Sequence, residues 1–126
     1  ASQTMYLCDG NIEMYSGEDG LVVPLLSIGG IGVISVISNI APQETHDMVM
    51  SFLNGDTKKA MDMQLKCSAL VDALFSEVNP IPVKAALNMV GYNVGTPRLP
   101  LVEMSDSGKE RLKKSLISFG LEVTND

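Results

Sequence analysis

Histidine and cysteine, the side chains that most often bind metals or serve in nucleophilic sites, are scarce in this sequence. The single histidine is His46, and the two cysteines, Cys8 and Cys67, lie far apart and in no metal-ligand spacing. His46 lies in the segment QETHDM, whose pattern is typical of the start of a helix, so we interpret it as a surface residue of that helix. We therefore expect no metal site, and the cysteines fit either free thiols or one disulfide bond.

The sequence also has few positively charged residues and no long apolar run. Lysine and arginine total 9 against 15 aspartates and glutamates, which gives a net charge of −6 and an isoelectric point near 4.6. Nucleic-acid-binding proteins carry a basic face, and anionic membrane surfaces attract basic segments, so we expect neither kind of partner. No apolar run is long enough to span a bilayer, and no N-terminal stretch resembles a signal peptide, which predicts a cytoplasmic protein.

The N-terminal part of the sequence predicts a β-α-β unit. Ile12–Ser16 alternates apolar and polar residues as a strand does, and Gly32–Val36 is the unbroken, β-branched run of a parallel strand buried on both faces. Leu21–Ile28 lies between them, is apolar all round, and predicts a buried helix that ends at Gly29 and Gly30. This order fits a right-handed crossover between parallel strands.

Only helices are predicted after the second strand. They are a helix that starts near Pro42 and runs to Leu53, a long helix from Asp56 to Glu77, a helix from Pro82 that ends before Gly91, and a last helix with a capping box at Ser107-x-x-Glu110 that ends at Phe119 and Gly120. Two parallel strands do not form a stable sheet alone. The spacing therefore predicts the C-terminal part of a larger α/β protein. In isolation the chain should be mostly helical and form a homo-oligomer through exposed strand edges.

Few residues have the surroundings that a chemical role requires. The glycines of Gly29–Gly32 end a helix and precede a strand, whereas a dinucleotide-binding fingerprint follows a strand and opens a helix. Gly17 is better placed, after a predicted strand and at the end that carries the active site in β/α folds, although a plain turn glycine has the same pattern. Glu18 and Asp19 are adjacent carboxylates that suit helix capping or acid–base chemistry. Lys84 lies in the first turns of a short helix, so we interpret it as a structural lysine rather than a Schiff-base nucleophile.

Four motifs occur together in a familiar order: YSGEDGL, GGIGVISV, NPIPVK and RLPL. Over nearly the whole chain, from Met5 to Leu121, they resemble the C-terminal part of the dihydrodipicolinate synthase family. This family belongs to the pyruvate-dependent class I aldolases, and NPIPVK with RLPL favours it over the sibling N-acetylneuraminate lyases. The resemblance implies the end of a (β/α)8 TIM barrel in residues 1–54, with its last two strands and their helices, followed by a C-terminal helical domain in residues 55–126.

The resemblance also implies an activity. Members of the family condense pyruvate with L-aspartate-4-semialdehyde through a lysine Schiff base, in the biosynthesis of lysine and diaminopimelate. That lysine belongs to a sixth strand, in a segment that precedes the residues present here, so we expect no catalytic residue, cofactor or metal in this chain. Gly17 and Ile34 are expected to line the wall of the pyruvate pocket, Ile34 through its backbone carbonyl.

The chain alone is then expected to be inactive, and two alternatives stay open. One is a part of another pyruvate-dependent aldolase, such as a sugar-acid lyase. The other is a noncatalytic, mostly helical interaction module.

Overall fold

A computed structural model describes residues 1–124 as mainly helical, with one small parallel sheet. The elements are, in chain order, α1 (Ser2–Leu7), β1 (Tyr15–Ser16), α2 (Val22–Leu26), β2 (Gly32–Val33), α3 (Pro42–Leu53), α4 (Thr57–Leu74), α5 (Ile81–Met89) and α6 (Asp106–Phe119). Two 3-10 turns, Asp19–Leu21 and Ile37–Asn39, precede α2 and α3. None of the helices in residues 1–124 combines the length and the apolar character that crossing a bilayer requires.

The chain divides into two compact units, Ala1–Lys66 and the residues from Cys67 onward. The division falls inside α4. The sequence places a boundary between two domains after residue 54, and that boundary stays a prediction.

In the first unit, β1 and β2 pair in parallel, as the β-α-β pattern predicts. The register joins Tyr15 to Gly32 and Ser16 to Val33. The paired strands are shorter than the predicted strands Ile12–Ser16 and Gly32–Val36, because each has one hydrogen-bonded neighbour and no partner on its outer edge among the described residues. A strand without a second neighbour holds its extended form only where the single ladder fixes it.

Helix α2 buries one face rather than all of its surface. Val22 and Leu26 are one turn apart and are buried together with Met48 of α3. Leu21 and Ile28 are 50% and 36% exposed, so the prediction that this segment is buried all round is wrong for the chain as described. Burying one side chain of this size contributes about 1.5–3 kcal/mol, which is enough to hold a helix as short as α2 against α3.

The glycine pair that follows α2 is required by backbone geometry. Gly29 has a φ of +99°, which other residues rarely adopt, and a Cβ on Gly30 would lie 2.7 Å from the carbonyl oxygen of Leu25. The Gly30 N–H donates to that same oxygen at 2.9 Å and closes the helix end. The predicted end of the helix at this pair is confirmed.

In the second unit, α5 packs against α6. Ile81 and Ala86 of α5 are buried, as are Leu112 and Leu116 of α6. The spacing of four residues places Leu112 and Leu116 on the same helix face. Helix α6 ends at Gly120, which has a φ of +109°, as its sequence predicts.

The start of α6 differs from the predicted capping box. Ser105, not Ser107, is the N-cap: its hydroxyl oxygen accepts a hydrogen bond from the Gly108 N–H at 3.1 Å. The carboxylate that holds this cap in place comes from Glu77, which accepts hydrogen bonds from the Ser105 hydroxyl at 2.6 Å and from the Ser105 N–H at 3.2 Å. A local pattern favoured Ser107 with Glu110, but the partner of the real cap lies 28 residues upstream.

We expect Glu77→Ala to destabilise the chain by about 1–2 kcal/mol, because Ser105 loses the carboxylate that fixes its cap geometry. Urea unfolding followed by circular dichroism measures the change. Glu110→Ala is the matched control, since the exposed pair between Glu110 and Lys114, at 3.7 Å, contributes about 0.5 kcal/mol or less. Equal effects of the two substitutions would show that Glu77 is an ordinary surface residue.

Candidate functional site

The candidate site is the edge of the small sheet at which both strands end. Gly17 directly follows β1 and Ile34 directly follows β2. Because the strands are parallel, their carboxyl ends lie at the same edge, and the Ile34 N–H donates to the Ser16 carbonyl oxygen at 2.7 Å. That bond belongs to the Ser16–Val33 pair, which is the last pair of the register, and Gly17 and Ile34 are the residues that directly follow it. The structure therefore places both residues that the sequence selects at the same end of the sheet.

Both residues are open to their surroundings. A Cβ added to Gly17 would meet no atom within 4 Å. The side chain of Ile34 is 73% exposed, which is unusual for a large aliphatic residue at the end of a strand. This end of the sheet therefore exposes the backbone at Gly17 and the apolar side chain of Ile34.

Ser16 shapes the turn that carries Gly17. It is fully buried, its hydroxyl donates to the Glu18 carbonyl oxygen at 2.7 Å, and its oxygen accepts from the Glu18 N–H at 3.2 Å. Both bonds join Ser16 to Glu18 across Gly17. They therefore fix the backbone of Gly17, which has no side chain of its own to do so. Ser16 was not predicted from the sequence, although a serine whose hydroxyl binds the backbone two residues further on is a known turn pattern.

Asp19 is the buried acid of this edge, and it ties the two loops of the site together. It is 2% exposed, and its Oδ2 accepts hydrogen bonds from the N–H groups of Val36 at 2.9 Å and Ile37 at 3.0 Å. The segment after β1 is thereby fastened to the segment that follows Ile34. Asp19 Oδ1 is also buried and accepts no hydrogen bond from residues 1–124. A buried carboxylate oxygen without a donor costs stability, so the two bonds to Oδ2 have to offset it.

Gln64 of α4 also holds Asp19 in position. The Gln64 Nε2 donates to the backbone carbonyl of Asp19 at 2.9 Å, and its Oε1 accepts from the Val23 N–H at 3.0 Å. This amide contacts the chain on both sides of the 3-10 turn that precedes α2. Nothing in the local sequence identifies Gln64, because it lies 45 residues from Asp19.

The capping interpretation is confirmed for Glu18 but is wrong for Asp19, which does not cap the helical segment that follows it. Glu18 caps the turn that directly follows it, and its side chain accepts from the Gly20 N–H at 3.2 Å. Asp19 instead caps the 3-10 turn Ile37–Asn39, which lies after the second strand. A carboxylate beside the N–H groups at a helical start is favoured by their partial positive charge.

Lys84 is a structural lysine, as predicted. Its Nζ donates to the Thr96 carbonyl oxygen at 2.9 Å. One turn later, Asn88 donates to the Gly95 carbonyl oxygen at 3.2 Å and accepts from the Val94 N–H at 2.9 Å. The two polar residues of α5 therefore hold the loop that follows the helix.

The scarce residues of the sequence form no second site within residues 1–124. His46 is exposed on α3, where its Nδ1 lies 3.1 Å from Asp47 Oδ1. Hydrogen bonds from His46 and then from Gln43 hold the pKa of Asp47 below its usual value. Cys8 and Cys67 form no disulfide bond with each other. His46 is thus a surface helix residue, as its sequence context predicts.

Comparisons with known proteins give a consistent result. A family model described as the dihydrodipicolinate synthetase family matches residues 1–118. A curated relative from Caldicellulosiruptor bescii, named 4-hydroxy-tetrahydrodipicolinate synthase, is 58% identical over 112 residues, which are 89% of this chain and 38% of the relative. The matched stretch is the C-terminal part of that relative.

Solved structures match over similar extents. Dihydrodipicolinate synthase from Aquifex aeolicus superposes with a TM-score of 0.92 at 35% identity, over 98% of this chain and 42% of that one. A chloride-inhibited dihydrodipicolinate synthase from Acinetobacter baumannii, solved as a complex with pyruvate, gives a TM-score of 0.89 at 33% identity, over 95% and 41% of the two chains. This chain therefore spans about two fifths of the length of the proteins it matches.

We expect Asp19→Ala to destabilise the chain by about 2–3 kcal/mol, because the N–H groups of Val36 and Ile37, one partly buried and one buried, lose a charged acceptor. The specific readout is amide hydrogen exchange, which should accelerate at Val36 and Ile37. Glu18→Ala is the matched control on the neighbouring acid and should cost about 1 kcal/mol or less. Unchanged exchange at Val36 and Ile37 in the Asp19 variant would contradict the role assigned to this carboxylate.

Proposed function

Since this chain belongs to the dihydrodipicolinate synthetase family, we propose that it is the C-terminal part of a lyase that condenses pyruvate with L-aspartate-4-semialdehyde. The reaction serves the biosynthesis of lysine and diaminopimelate. The name of the Caldicellulosiruptor relative and the pyruvate complex of the Acinetobacter structure support this substrate assignment. The names of the relatives favour it over a sugar-acid lyase or a noncatalytic module.

The observation that carries the proposal is the juxtaposition of Gly17 and Ile34 at the carboxyl edge of two parallel strands. In β/α barrels the active site lies at this end of the strands, and the loops there form the substrate pocket. We propose that β1 and β2 are the last two strands of such a barrel. On this basis, residues 1–54 complete the barrel and residues 55–126 form a helical domain.

The chemistry is covalent catalysis by a lysine from the part of the family fold that this chain does not include. The lysine amine adds to the carbonyl carbon of pyruvate, and loss of water gives an imine that activates the methyl group for attack on the aldehyde. Gly17 leaves space for the substrate because it has no side chain. The backbone carbonyl of Ile34 supplies an acceptor beside the reacting lysine. The chain thus contributes part of the pocket wall and one backbone carbonyl to the active site. It is inactive by itself.

The exposed sheet also suggests how the chain associates. Unpaired strand edges and uncovered apolar side chains such as Ile34 favour pairing with another chain. We propose a homo-oligomer of the isolated chain formed through these edges, in the cytoplasm. Light scattering should give a mass above that of the monomer, and a clean monomer at working concentration would count against this assembly.

Trapping with borohydride tests whether the chain is inactive alone. Incubation with pyruvate and borohydride should leave the mass of this chain unchanged, because the lysine that forms the imine is outside it. The intact relative from Caldicellulosiruptor bescii, treated in the same way, is the positive control and should gain one reduced pyruvyl group. A stoichiometric adduct on this chain would refute the proposed absence of a nucleophile.

A chimera tests the role of Gly17. In it, this chain replaces the matched C-terminal part of the Caldicellulosiruptor relative. Gly17→Val should lower kcat/KM for pyruvate at least about tenfold, a loss of about 1.4 kcal/mol of transition-state stabilisation, because the new side chain occupies the pocket. The thermal stability of the chimera should stay close to that of the parent, since a Cβ at Gly17 meets no atom within 4 Å in this chain.

Gly20→Val is the matched control for the chimera. Gly20 lies three residues further along the same turn, and a Cβ there makes only an ordinary contact of 3.5 Å with Glu18 Oε1. Its kcat/KM should resemble that of the parent chimera. If both variants lose activity equally, Gly17 has no special place in the pocket.

A further inference from the structure

Gln64 of α4 holds the loops of the candidate site without being part of the proposed pocket wall. It falls in residues 55–126, which we propose as the helical domain, but it belongs to the first compact unit, Ala1–Lys66. Its hydrogen-bond partners, Asp19 and Val23, belong to that unit as well. The proposed lyase reaction gives Gln64 no role, so its effect on the pocket is a separate question.

The packing of α4 sets the position of Gln64. Ala60 lies one turn earlier on the same helix face and is fully buried. Met63, the preceding residue, packs against the apolar cluster around Val22 of α2, and Val33 of β2 packs against the same cluster. The backbone that carries the Gln64 amide is therefore held against the elements that flank the two loops.

The two bonds of Gln64 require a side chain that both donates and accepts. Its Nε2 donates to the Asp19 carbonyl oxygen at 2.9 Å, and its Oε1 accepts from the Val23 N–H at 3.0 Å. Val23 lies in the first turn of α2, where N–H groups have no acceptor within the helix, and the N-cap residue Leu21 supplies none from its side chain. A primary amide carries donor and acceptor together, whereas a carboxylate only accepts and an ammonium group only donates.

Asp19 connects these bonds to the second strand. Its carbonyl is held by Gln64, and its Oδ2 accepts from the N–H groups of Val36 and Ile37 at 2.9 and 3.0 Å. Its Oδ1 is buried and accepts no hydrogen bond within residues 1–124, so Oδ2 alone makes the side-chain connection. Asp19 comes two residues after Gly17. The hydrogen bonds thus lead from α4 through one buried residue to both segments that contain the proposed pocket wall.

We propose that Gln64 is a positioning residue for the pyruvate pocket and sets the affinity for pyruvate from outside it, an inference that rests on the lyase function proposed above. Without the amide, Asp19 shifts, and the turn at Gly17 and the segment after Ile34 shift with it. A displaced wall binds the substrate that it contacts less well, and small displacements are sufficient for a large effect. The first helix of the proposed helical domain then contributes to substrate binding as well as to stability.

Amide hydrogen exchange in the full 126-residue chain tests the connection without any activity. Gln64→Met keeps the length of the side chain and removes both hydrogen bonds. Exchange should accelerate at least about tenfold at Val23, Val36 and Ile37, while the amides of α6 should exchange as in the parent, which excludes general unfolding.

Gln64→Glu separates the two bonds. A carboxylate keeps an acceptor for the Val23 N–H and loses the donor to the Asp19 carbonyl. Exchange should therefore accelerate at Val36 and Ile37 and stay unchanged at Val23. Parent-like exchange at Val36 and Ile37 in either variant would overturn the proposal, because neither residue is a partner of Gln64 and the effect has to pass through Asp19.

The chimera described above tests the effect on the substrate. Gln64→Met should raise KM for pyruvate at least about fivefold and leave KM for the aldehyde within about twofold of the parent chimera. A loss of folded protein would instead lower kcat and leave both KM values unchanged. Gln43→Met is the matched control, because Gln43 is exposed and donates to Asp47 of its own helix at 2.8 Å. Both of its KM values should equal those of the parent.

The outcomes separate this proposal from the lyase function. An unchanged KM for pyruvate in an active chimera would overturn the role of Gln64 and leave the lyase function in place. A parent chimera without lyase activity would overturn the lyase function together with the pyruvate assignment. The exchange rates at Val36 and Ile37 would then still decide whether Gln64 positions the two loops.

Discussion

The geometry of the candidate site depends on the hydrogen bonds that the Asp19 carboxylate accepts. Its Oδ2 binds the N–H groups of Val36 and Ile37, which lie just beyond Ile34. Its own position is fixed by Gln64. One buried acid thus holds the loop after the first strand against the loop after the second. The short parallel ladder alone would leave both loops free to move apart, because it joins only two residue pairs.

The unpaired strand edges are a second constraint, because they limit how far each strand stays extended. A backbone N–H or C=O group that faces neither water nor a partner costs free energy, so extended segments persist where a ladder satisfies them. The predicted strands are longer than the paired ones, and three of their large apolar residues are exposed in this chain: Ile12, Tyr15 and, most of all, Ile34. The sequence pattern therefore describes a sheet with more neighbours than these residues supply. The proposal that these are the last two strands of a barrel accounts for this pattern.

The features predicted correctly from the sequence are those that depend on neighbouring residues. The helix ends at Gly29 and Gly120 require positive φ, which glycine alone adopts easily, and both positions were predicted from the sequence. The start of α6 was predicted wrongly, because the cap on Ser105 depends on Glu77, 28 residues away. The placement of Gly17 and Ile34 at the same end of the sheet followed from the β-α-β order. The partners of Asp19 did not, because a carboxylate that suits the nearest helix start can also reach a turn on another loop.

The roles proposed for Gly17 and Ile34 involve no acid, base or nucleophile. In that proposal Gly17 acts through the absence of a Cβ and Ile34 through a backbone carbonyl, so neither role appears in a search for catalytic side chains. Both roles need backbone atoms held to within a fraction of an ångström of their positions, because small displacements in a pocket cost large factors in rate. Ser16, Asp19 and Gln64 fix the backbone at this edge through partly buried hydrogen bonds. The polar residues at this edge therefore position the backbone on which the proposed substrate contacts depend.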